Sequence, residues 1–212
     1  MAYRFDCTDA DGRRRGIGQA VTAVNEGSLV ALPVDTMYGI GCDAFNPGAV
    51  DALRALKGHT RGQPPPVMIG HPRTVDGIAT GLTPTARALT RHFWPGGLTL
   101  ICRAQPSLDW DLGDSGGTVT VRVPLHPLAL ELLERTGPMA VTSAGGAARP
   151  VTSAEQVWDA FGDSVGVHLN GGPTQGSGLS TIVDVTGETP RLLREGEVTV
   201  VQLRQVAPDL VL

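Results

Sequence analysis

The chain has 212 residues, enough for one large or two small domains with a sizeable core. Its 41% hydrophobic and 18% charged residues exclude a disordered protein, and a formal net charge of -4 argues against one that coats nucleic acid over its whole surface. Three widely spaced cysteines without a CxxC pair favour reduced thiols and a cytoplasmic location over a zinc site. No apolar run approaches the roughly 20 residues of a bilayer span, so we expect no membrane contact.

Apolar periodicity then predicts alternating helices and strands along the chain. The first helix covers residues 13–26. Residues 32–57 are the most informative segment: a buried strand, a polar turn with Asp35, Thr36 and Tyr38, glycines, and a helix that begins at Asn46-Pro47 and ends at Lys57. A strand, a Gly-rich turn and a helix in that order commonly hold an anion.

The remaining pattern is richer in strands. Further helices are predicted over 84–93, 128–135 and 153–161, the last with a capping box from Ser153 to Gln156. Strands are predicted over 28–34, 66–69, 98–103, 117–123, 139–142, 165–167, 181–185, 191–193 and 198–203. The simplest architecture is one α/β domain over residues 1–212, with flanking helices on a twisted mixed β-sheet.

Three polar residues end elements where a ligand could lie. Lys57 closes its helix and could reach a phosphate, or could be a solvated lysine that favours the helix C-terminus. Arg122 lies on the alternating strand 117–123, where Thr118 shares its face by the period of two, but it could equally point outward. Ser143 follows a buried strand and could donate to phosphate or only to its own turn.

Seven motifs occur in one order between about residues 15 and 201. They are PVDTMYGIGCDAFNP, ALKG, FWPGGLTLI, TVTVRVPLHPLALELL, GPMAVTSA, GLSTIVDV and LLREGEV. In order and spacing they resemble the YrdC-like family. The resemblance implies a twisted sheet with a concave ligand groove. It also implies a nucleotidyltransferase that converts L-threonine, bicarbonate and ATP into threonylcarbamoyl-AMP and pyrophosphate for a tRNA modification.

The resemblance also implies roles for particular residues. Catalytic roles are expected for Lys57, Arg122 and Ser143. ATP is expected to contact Lys57, His59, Arg61, Thr118, Ser143 and Arg194. Threonine or an analogue is expected to contact Thr36, Tyr38, Arg122, Ser180 and Thr181, with the Arg122 fork on its carboxylate. No metal-ligand residues are expected, Mg²⁺ would accompany ATP, and RNA contact is a further expectation.

Three positions depart from the family pattern. Val34 stands where P-T-[DE]-T-x-Y-G has its first threonine, His59 stands where K-x-R has arginine, and Gly145 stands where S-x-N has asparagine. Arg61 lies two residues beyond the expected arginine. Each change removes a polar group from the expected site, so three hypotheses follow. They are an ordinary synthase, a paralogue acting on a different amine, carbamate or nucleotide, and a non-catalytic nucleotide- or RNA-binding protein.

Overall fold

The structure is a computed structural model that describes residues 1–145, 150–175 and 178–212. Within these ranges the chain forms eleven strands: β1 (Tyr3–Asp6), β2 (Val30–Val34), β3 (Met37–Asp43), β4 (Val67–Met68), β5 (Ala79–Thr80), β6 (Leu98–Ala104), β7 (Thr118–Arg122), β8 (Met139–Ser143), β9 (Val167–Asn170), β10 (Thr181–Asp184) and β11 (Arg191–Arg194). The α-helices of these ranges are α1 (Ala10–Asn25), α2 (Pro47–Lys57), α3 (Val75–Ile78), α4 (Pro84–Phe93), α5 (Pro127–Thr136), α6 (Ala154–Phe161) and α7 (Val200–Val206). Two 3₁₀ turns cover Pro72–Thr74 and Gly162–Ser164.

All eleven strands join one mixed sheet. Its order is β1-β9-β2-β3-β8-β4-β7-β6-β10-β11, with β5 paired to β6. The pairs β1–β9, β2–β9, β4–β7 and β6–β10 are parallel, and the others are antiparallel. The predicted α/β class with a mixed sheet and flanking helices is confirmed.

The sheet buries an apolar layer on each face. On one face, Ile17 and Val24 of α1 join Leu128 and Leu132 of α5 and Leu32 of β2 in one cluster. The neighbouring strand residues point the other way, because side chains alternate across a strand, and they belong to the second cluster with α2, α4 and α6. Helices therefore cover both faces, and the strand ends between them are where a ligand cavity can open.

Local capping chemistry sets the helix starts that the sequence predicted. The Asn46 side chain accepts a hydrogen bond from the Ala49 N–H at 3.1 Å, Pro47 occupies the first helical position, and Gly58 ends α2 in a left-handed conformation. Thr83 caps α4 in the same way. The capping box of α6, from Ser153 to Gln156, is confirmed.

The segment after β2 differs from its prediction. Residues 37–43 form strand β3, antiparallel to β2, so the predicted strand, Gly-rich turn and helix are instead a hairpin followed by a helix. Gly39 and Gly41 lie within β3, and they are needed there for packing. A Cβ on Gly39 would lie 2.8 Å from a methyl of Val34, and a Cβ on Gly41 would lie 2.8 Å from a methyl of Val141. The predicted Gly-rich turn that leads directly into a helix was therefore wrong, and anion binding at this turn stays a prediction.

Two other differences from the predicted elements lie near the chain ends. The β-branched run over 198–203 was predicted as a strand but begins helix α7, because Thr199 and Gln202 form a capping box. Strand β1 was not predicted, and it pairs in parallel with β9 at the sheet edge. The short elements α3 and β5 were also missed, since two to four residues give too little periodicity.

The three cysteines, Cys7, Cys42 and Cys102, are buried and form no disulfide. Burial raises the pKa of the Cys42 and Cys102 thiols to about 12, so both stay protonated and poorly nucleophilic near neutral pH. Within the described residues, no helix is both long and apolar enough to cross a bilayer.

Two histidines, the buried His168 and the half-buried His126, should make stability depend on pH. His126 caps α5 by accepting from the Leu128 N–H at 3.2 Å, and His168 contacts the Gly162 carbonyl at 3.0 Å. Burial lowers the pKa of both below the ordinary value. The unfolded chain therefore binds more protons as the pH falls through about 6.5, and we expect the free energy of unfolding to drop by up to about 1.4 kcal/mol per histidine per pH unit.

Urea unfolding at pH 7.5 and 5.5 measures this drop. The His168→Gln variant should lose less stability than the wild type between these two values, and the exposed His92→Gln control should lose as much as the wild type. Equal losses in all three proteins would show that the buried ring does not control the pH dependence.

Candidate active site

A cavity of about 230 Å³, called here the central cavity, opens among the middle strands of the sheet. Its described lining residues are Val34, Thr36, Met37, Tyr38, Gly39, Pro66, Met68, Thr99, Arg122, Val141, Thr142, Ser143, Gly178, Leu179, Ser180 and Arg194. The volume lies below the roughly 300–1,000 Å³ of sites for drug-sized ligands, so the cavity suits a molecule the size of an amino acid. Hydroxyls and two guanidinium groups interrupt an otherwise apolar wall.

Arg122 enters this wall from the end of β7. Its side chain is 12% exposed, its Nε donates to the Gly96 carbonyl at 2.9 Å, and its Nη2 donates to Asp35 Oδ2 at 2.5 Å. Glu197 Oε2 lies 3.8 Å from the same Nη2. Nη1 makes no hydrogen bond to another described residue, so this end of the guanidinium can still bind a ligand carboxylate.

Arg194 brings a second positive charge to the cavity. Its Nε and Nη2 donate to the Ser180 carbonyl at 3.0 and 2.8 Å, and Nη2 also donates to the Ser180 hydroxyl at 3.0 Å. Burial and the nearby Arg122 charge lower the pKa of Arg194 from its ordinary value. Across the cavity mouth, the Thr36 hydroxyl donates to the Gly178 carbonyl at 2.9 Å. The segment around 178–180 is thereby held against both β11 and the β2–β3 turn.

Ser143 and Lys57 lie beside each other at the end of β8. The Ser143 side chain lines the cavity, and its hydroxyl donates to the Gly145 carbonyl. Lys57 is outside the cavity lining, but its Nζ donates to the Ala144 carbonyl at 2.7 Å and lies over the Phe161 ring. Burial lowers the pKa of this amine. A rotation of the Lys57 side chain could therefore bring its ammonium to a phosphate placed near Ser143.

Two residues predicted to contact threonine already have protein partners. The Tyr38 hydroxyl donates to the Gly172 carbonyl at 2.7 Å and accepts from the Gly171 N–H at 3.2 Å, and burial raises its pKa to about 12. The Thr181 hydroxyl is fully buried, donates to the Val198 carbonyl at 2.6 Å and accepts two backbone N–H groups. The structure thus gives both hydroxyls an internal role, and their contact with a ligand stays a prediction.

Besides Lys57, three residues predicted to contact ATP do not line the central cavity. Arg61 forms a two-bond ion pair with Asp111 and a further bond with Asp114, all on the surface. Thr118 begins β7, four residues from Arg122, and its hydroxyl donates to the Ser115 carbonyl at 2.8 Å. His59 follows the end of α2, and its backbone N–H donates to the Arg54 carbonyl. Their nucleotide contacts stay predictions.

The structure adds three site residues to which the sequence assigned no individual role. Asp35 and Glu197 both face Arg122, and Thr99 of β6 lines the cavity with only 4% exposure. Burial raises the pKa of Glu197 from its ordinary value, although the Arg122 charge opposes this shift. These residues come from separate parts of the chain, so no local spacing signals their meeting. In the sequence, the adjacent Asp35 and Thr36 in the first turn were the one indication of a polar site there.

The turn that places Arg194 and Glu197 depends on Gly196. A Cβ at this position would lie 2.0 Å from the Leu179 carbonyl oxygen and 2.7 Å from the Ser180 carbonyl carbon. We expect Gly196→Ala to lower the free energy of unfolding by about 3 kcal/mol, because the backbone must separate from residues 179–180. Gly18→Ala in α1 is the matched control. Apart from its chain neighbours and the backbone of its own helix, nothing lies within 4 Å of the added methyl, so Gly18→Ala should stabilise by about 0.5–1 kcal/mol. Urea unfolding measures both, and equal effects would contradict this packing argument.

Comparison with known proteins finds one matching family model and several similar proteins. The Sua5_yciO_yrdC family model, described as "Telomere recombination", matches residues 22–196. A Mycobacterium tuberculosis protein, provisionally named a threonylcarbamoyl-AMP synthase, is 48% identical over 97% of this chain and 95% of its own length. The threonylcarbamoyl-AMP synthase of Bacillus subtilis is 34% identical over 90% of this chain but only 56% of its own.

Two solved structures share the fold. Pyrococcus abyssi Sua5, solved in complex with L-threonine, matches with a TM-score of 0.88 and 29% identity over all of this chain and 62% of its own. Escherichia coli YciO matches with a TM-score of 0.81 and 26% identity, over 93% of this chain and 97% of its own. This chain therefore spans under two thirds of the Sua5 chain and nearly all of YciO.

Proposed function

Because the chain belongs to the Sua5/YciO/YrdC family, we propose that it is an L-threonylcarbamoyladenylate synthase. The reaction joins L-threonine, bicarbonate and ATP into threonylcarbamoyl-AMP with release of pyrophosphate. The observation that carries the proposal is the central cavity, which combines an amino-acid-sized volume with the Arg122 guanidinium and the hydroxyl-bearing residues Thr36 and Ser180. The names of the M. tuberculosis and B. subtilis relatives support it.

The cavity fits the amino-acid half of the reaction. Nη1 of Arg122 can bind the threonine carboxylate, and the apolar residues Val34, Met37 and Met68 can receive its methyl group. Arg122, Arg194, Asp35 and a charged Glu197 together sum to zero net charge, which suits a zwitterion. The amine condenses with bicarbonate to form a carbamate and water.

The nucleotide half requires a site for phosphates. We place it at the Ser143 end of the cavity, within reach of Lys57 and Arg194. A carbamate oxygen forms a bond to the α-phosphorus of ATP while the bond to pyrophosphate breaks. The protein positions the two reactants and neutralises the phosphate charge, which is how catalysis of phosphoryl transfer mainly proceeds. Mg²⁺ would enter with the ATP phosphates.

The departures from the family pattern favour a test with several amines. Val34 lines the cavity where the pattern has a threonine, so the wall loses a hydroxyl at this point. Arg61, the nearest arginine to His59, is paired with Asp111 and Asp114. A different amino acid or amine is therefore the second candidate substrate. Lowered nucleotide affinity from His59 and Gly145 stays a prediction.

Pyrophosphate release measures the proposed reaction. Purified protein is incubated with ATP, Mg²⁺ and bicarbonate, and each of the twenty amino acids is added in turn. The proposal expects release that depends on bicarbonate and is fastest with L-threonine. Faster release with another amine would establish the second candidate, and no release with any of them would favour a binding protein.

The proposal also implies a cellular location and binding partners for the protein. Its product feeds the threonylcarbamoyladenosine modification of tRNA, so a cytoplasmic location and contact with RNA are expected alongside the small-molecule substrates. We further propose that residues 1–212 act as one domain, since all described strands join one sheet.

A further inference from the structure

Asp35 has an unusual backbone conformation. In the part of the chain that the structure describes, it is the one residue other than glycine with a positive φ, at 59°. Most residues avoid this left-handed region, and Asp tolerates it better than most. Such a conformation persists where surrounding contacts determine it, and it occurs often at functional sites. The two-residue hairpin turn between β2 and β3 itself requires a positive φ at its first residue, and it thereby directs the Asp35 side chain.

The Asp35 carboxylate joins three parts of the fold. Oδ1 accepts hydrogen bonds from the Leu125 N–H at 2.8 Å and the His126 N–H at 2.7 Å, while Oδ2 accepts from Arg122 Nη2 at 2.5 Å. Its side chain is only 10% exposed. The two backbone bonds fix the carboxylate at the start of α5, so its other oxygen presents a fixed acceptor to the arginine.

Arg122 has a competing partner. Glu197 Oε2 lies 3.8 Å from Nη2, close enough for attraction but beyond hydrogen-bond distance. If the Asp35 charge were absent, the guanidinium would turn towards Glu197, its nearest remaining carboxylate. The bonds to Gly96 and Asp35 hold it in its present plane and leave Nη1 for a ligand.

Removal of Asp35 has two opposed electrostatic effects. It leaves the cavity more positive, which attracts a substrate carboxylate, but it also releases the guanidinium that must bind that carboxylate. The second effect is the larger, because charge-assisted hydrogen bonds depend steeply on geometry and Glu197 can neutralise a released arginine.

We propose that Asp35 is a positioning residue for amino-acid recognition, acting through Arg122. It does not touch the substrate, and it holds the guanidinium away from Glu197 in the orientation that binds the carboxylate. This inference rests on the proposed function, since that function supplies the amino acid.

A double-mutant cycle tests this role. Calorimetric titration of L-threonine compares the wild type, Asp35→Asn, Arg122→Lys and the double variant. Asn tolerates the left-handed conformation and keeps an oxygen for the two backbone N–H groups. We expect Asp35→Asn to weaken threonine binding at least tenfold in the wild type and less than twofold in the Arg122→Lys background. ATP affinity should change less than twofold.

Asp43→Asn is the matched control, because Asp43 also accepts a backbone N–H at the far end of β3. It should bind threonine like the wild type. Wild-type affinity in Asp35→Asn, or losses that multiply in the double variant, would overturn the role assigned to Asp35.

A second measurement does not depend on substrate. Hydrogen exchange of the Arg122 Nε–H, followed by ¹⁵N NMR, should accelerate at least tenfold in Asp35→Asn and stay unchanged in Asp43→Asn. If the wild type fails to bind threonine but this exchange accelerates, the proposed function is wrong and the Asp35–Arg122 anchor stands. Unchanged exchange in Asp35→Asn overturns the anchor itself.

Discussion

Arg122→Lys should weaken L-threonine binding roughly 30- to 160-fold. The lysine ammonium can replace the ion pair with Asp35, but it cannot also bond Gly96 and present a second nitrogen to a ligand carboxylate. The loss of one charge-assisted hydrogen bond corresponds to about 2–3 kcal/mol, which gives this range of affinity. Calorimetric titration with L-threonine measures it.

Lysine is the informative replacement at this position. Arg122→Ala would leave the buried Asp35 carboxylate without its counter-ion, a change that typically costs about 3–5 kcal/mol of stability. Arg103→Lys is the control, because Arg103 also bonds a carbonyl through Nε, that of Thr186, but is exposed on β6. Threonine affinity equal to that of the wild type in Arg122→Lys would remove this arginine from substrate recognition.

Lys57→Gln should weaken ATP binding roughly 13- to 160-fold and leave threonine binding unchanged. The ammonium now donates to the Ala144 carbonyl, and a phosphate would replace that neutral acceptor with a charged one. The loss of a hydrogen bond to a charged group corresponds to about 1.5–3 kcal/mol. Arg135→Gln, in the last turn of α5, removes the same charge from a helix end and should leave ATP affinity unchanged.

Lys57 is the one lysine in the chain, so NMR can observe its side chain without overlap from other lysines. Protein grown with lysine labelled at ¹³Cε gives a single side-chain signal. Burial lowers the pKa of this amine in the free protein, and bound phosphate should raise it. An NMR titration that moves upward in pH on addition of ATP supports the contact. An unmoved titration, together with wild-type ATP affinity in Lys57→Gln, would show that the phosphates lie elsewhere.

The sequence predicts those parts of the fold that local chemistry decides. Helices α2, α4 and α6 begin where Asn46, Thr83 and Ser153 can cap a free N–H, and caps are read from neighbouring residues. Strand β3 escaped prediction because Gly39 and Gly41 lower its strand propensity. Their value lies in contacts with Val34 and Val141, and Val141 is about a hundred residues away.

The sequence also predicts part of the candidate site. Six predicted residues are brought to one cavity by the structure: Thr36, Tyr38, Arg122, Ser143, Ser180 and Arg194. Their motifs end strands or turns that meet in the middle of the sheet.

The site contacts that the sequence did not predict join residues that lie far apart along the chain. Asp35 gains its role from Arg122 and the start of α5, 87 to 91 residues further along the chain. Alternation along one strand cannot reveal such partners.

Labelled bicarbonate gives the most direct test of the proposed synthase. The protein is incubated with [¹³C]bicarbonate, L-threonine and ATP-Mg²⁺, and the nucleotide products are separated and weighed by mass spectrometry. The proposed function predicts an adenylate that carries one labelled carbon and one threonine, formed together with pyrophosphate and absent when any substrate is omitted. An AMP product without labelled carbon, or no adenylate at all while ATP and threonine are bound, would contradict it.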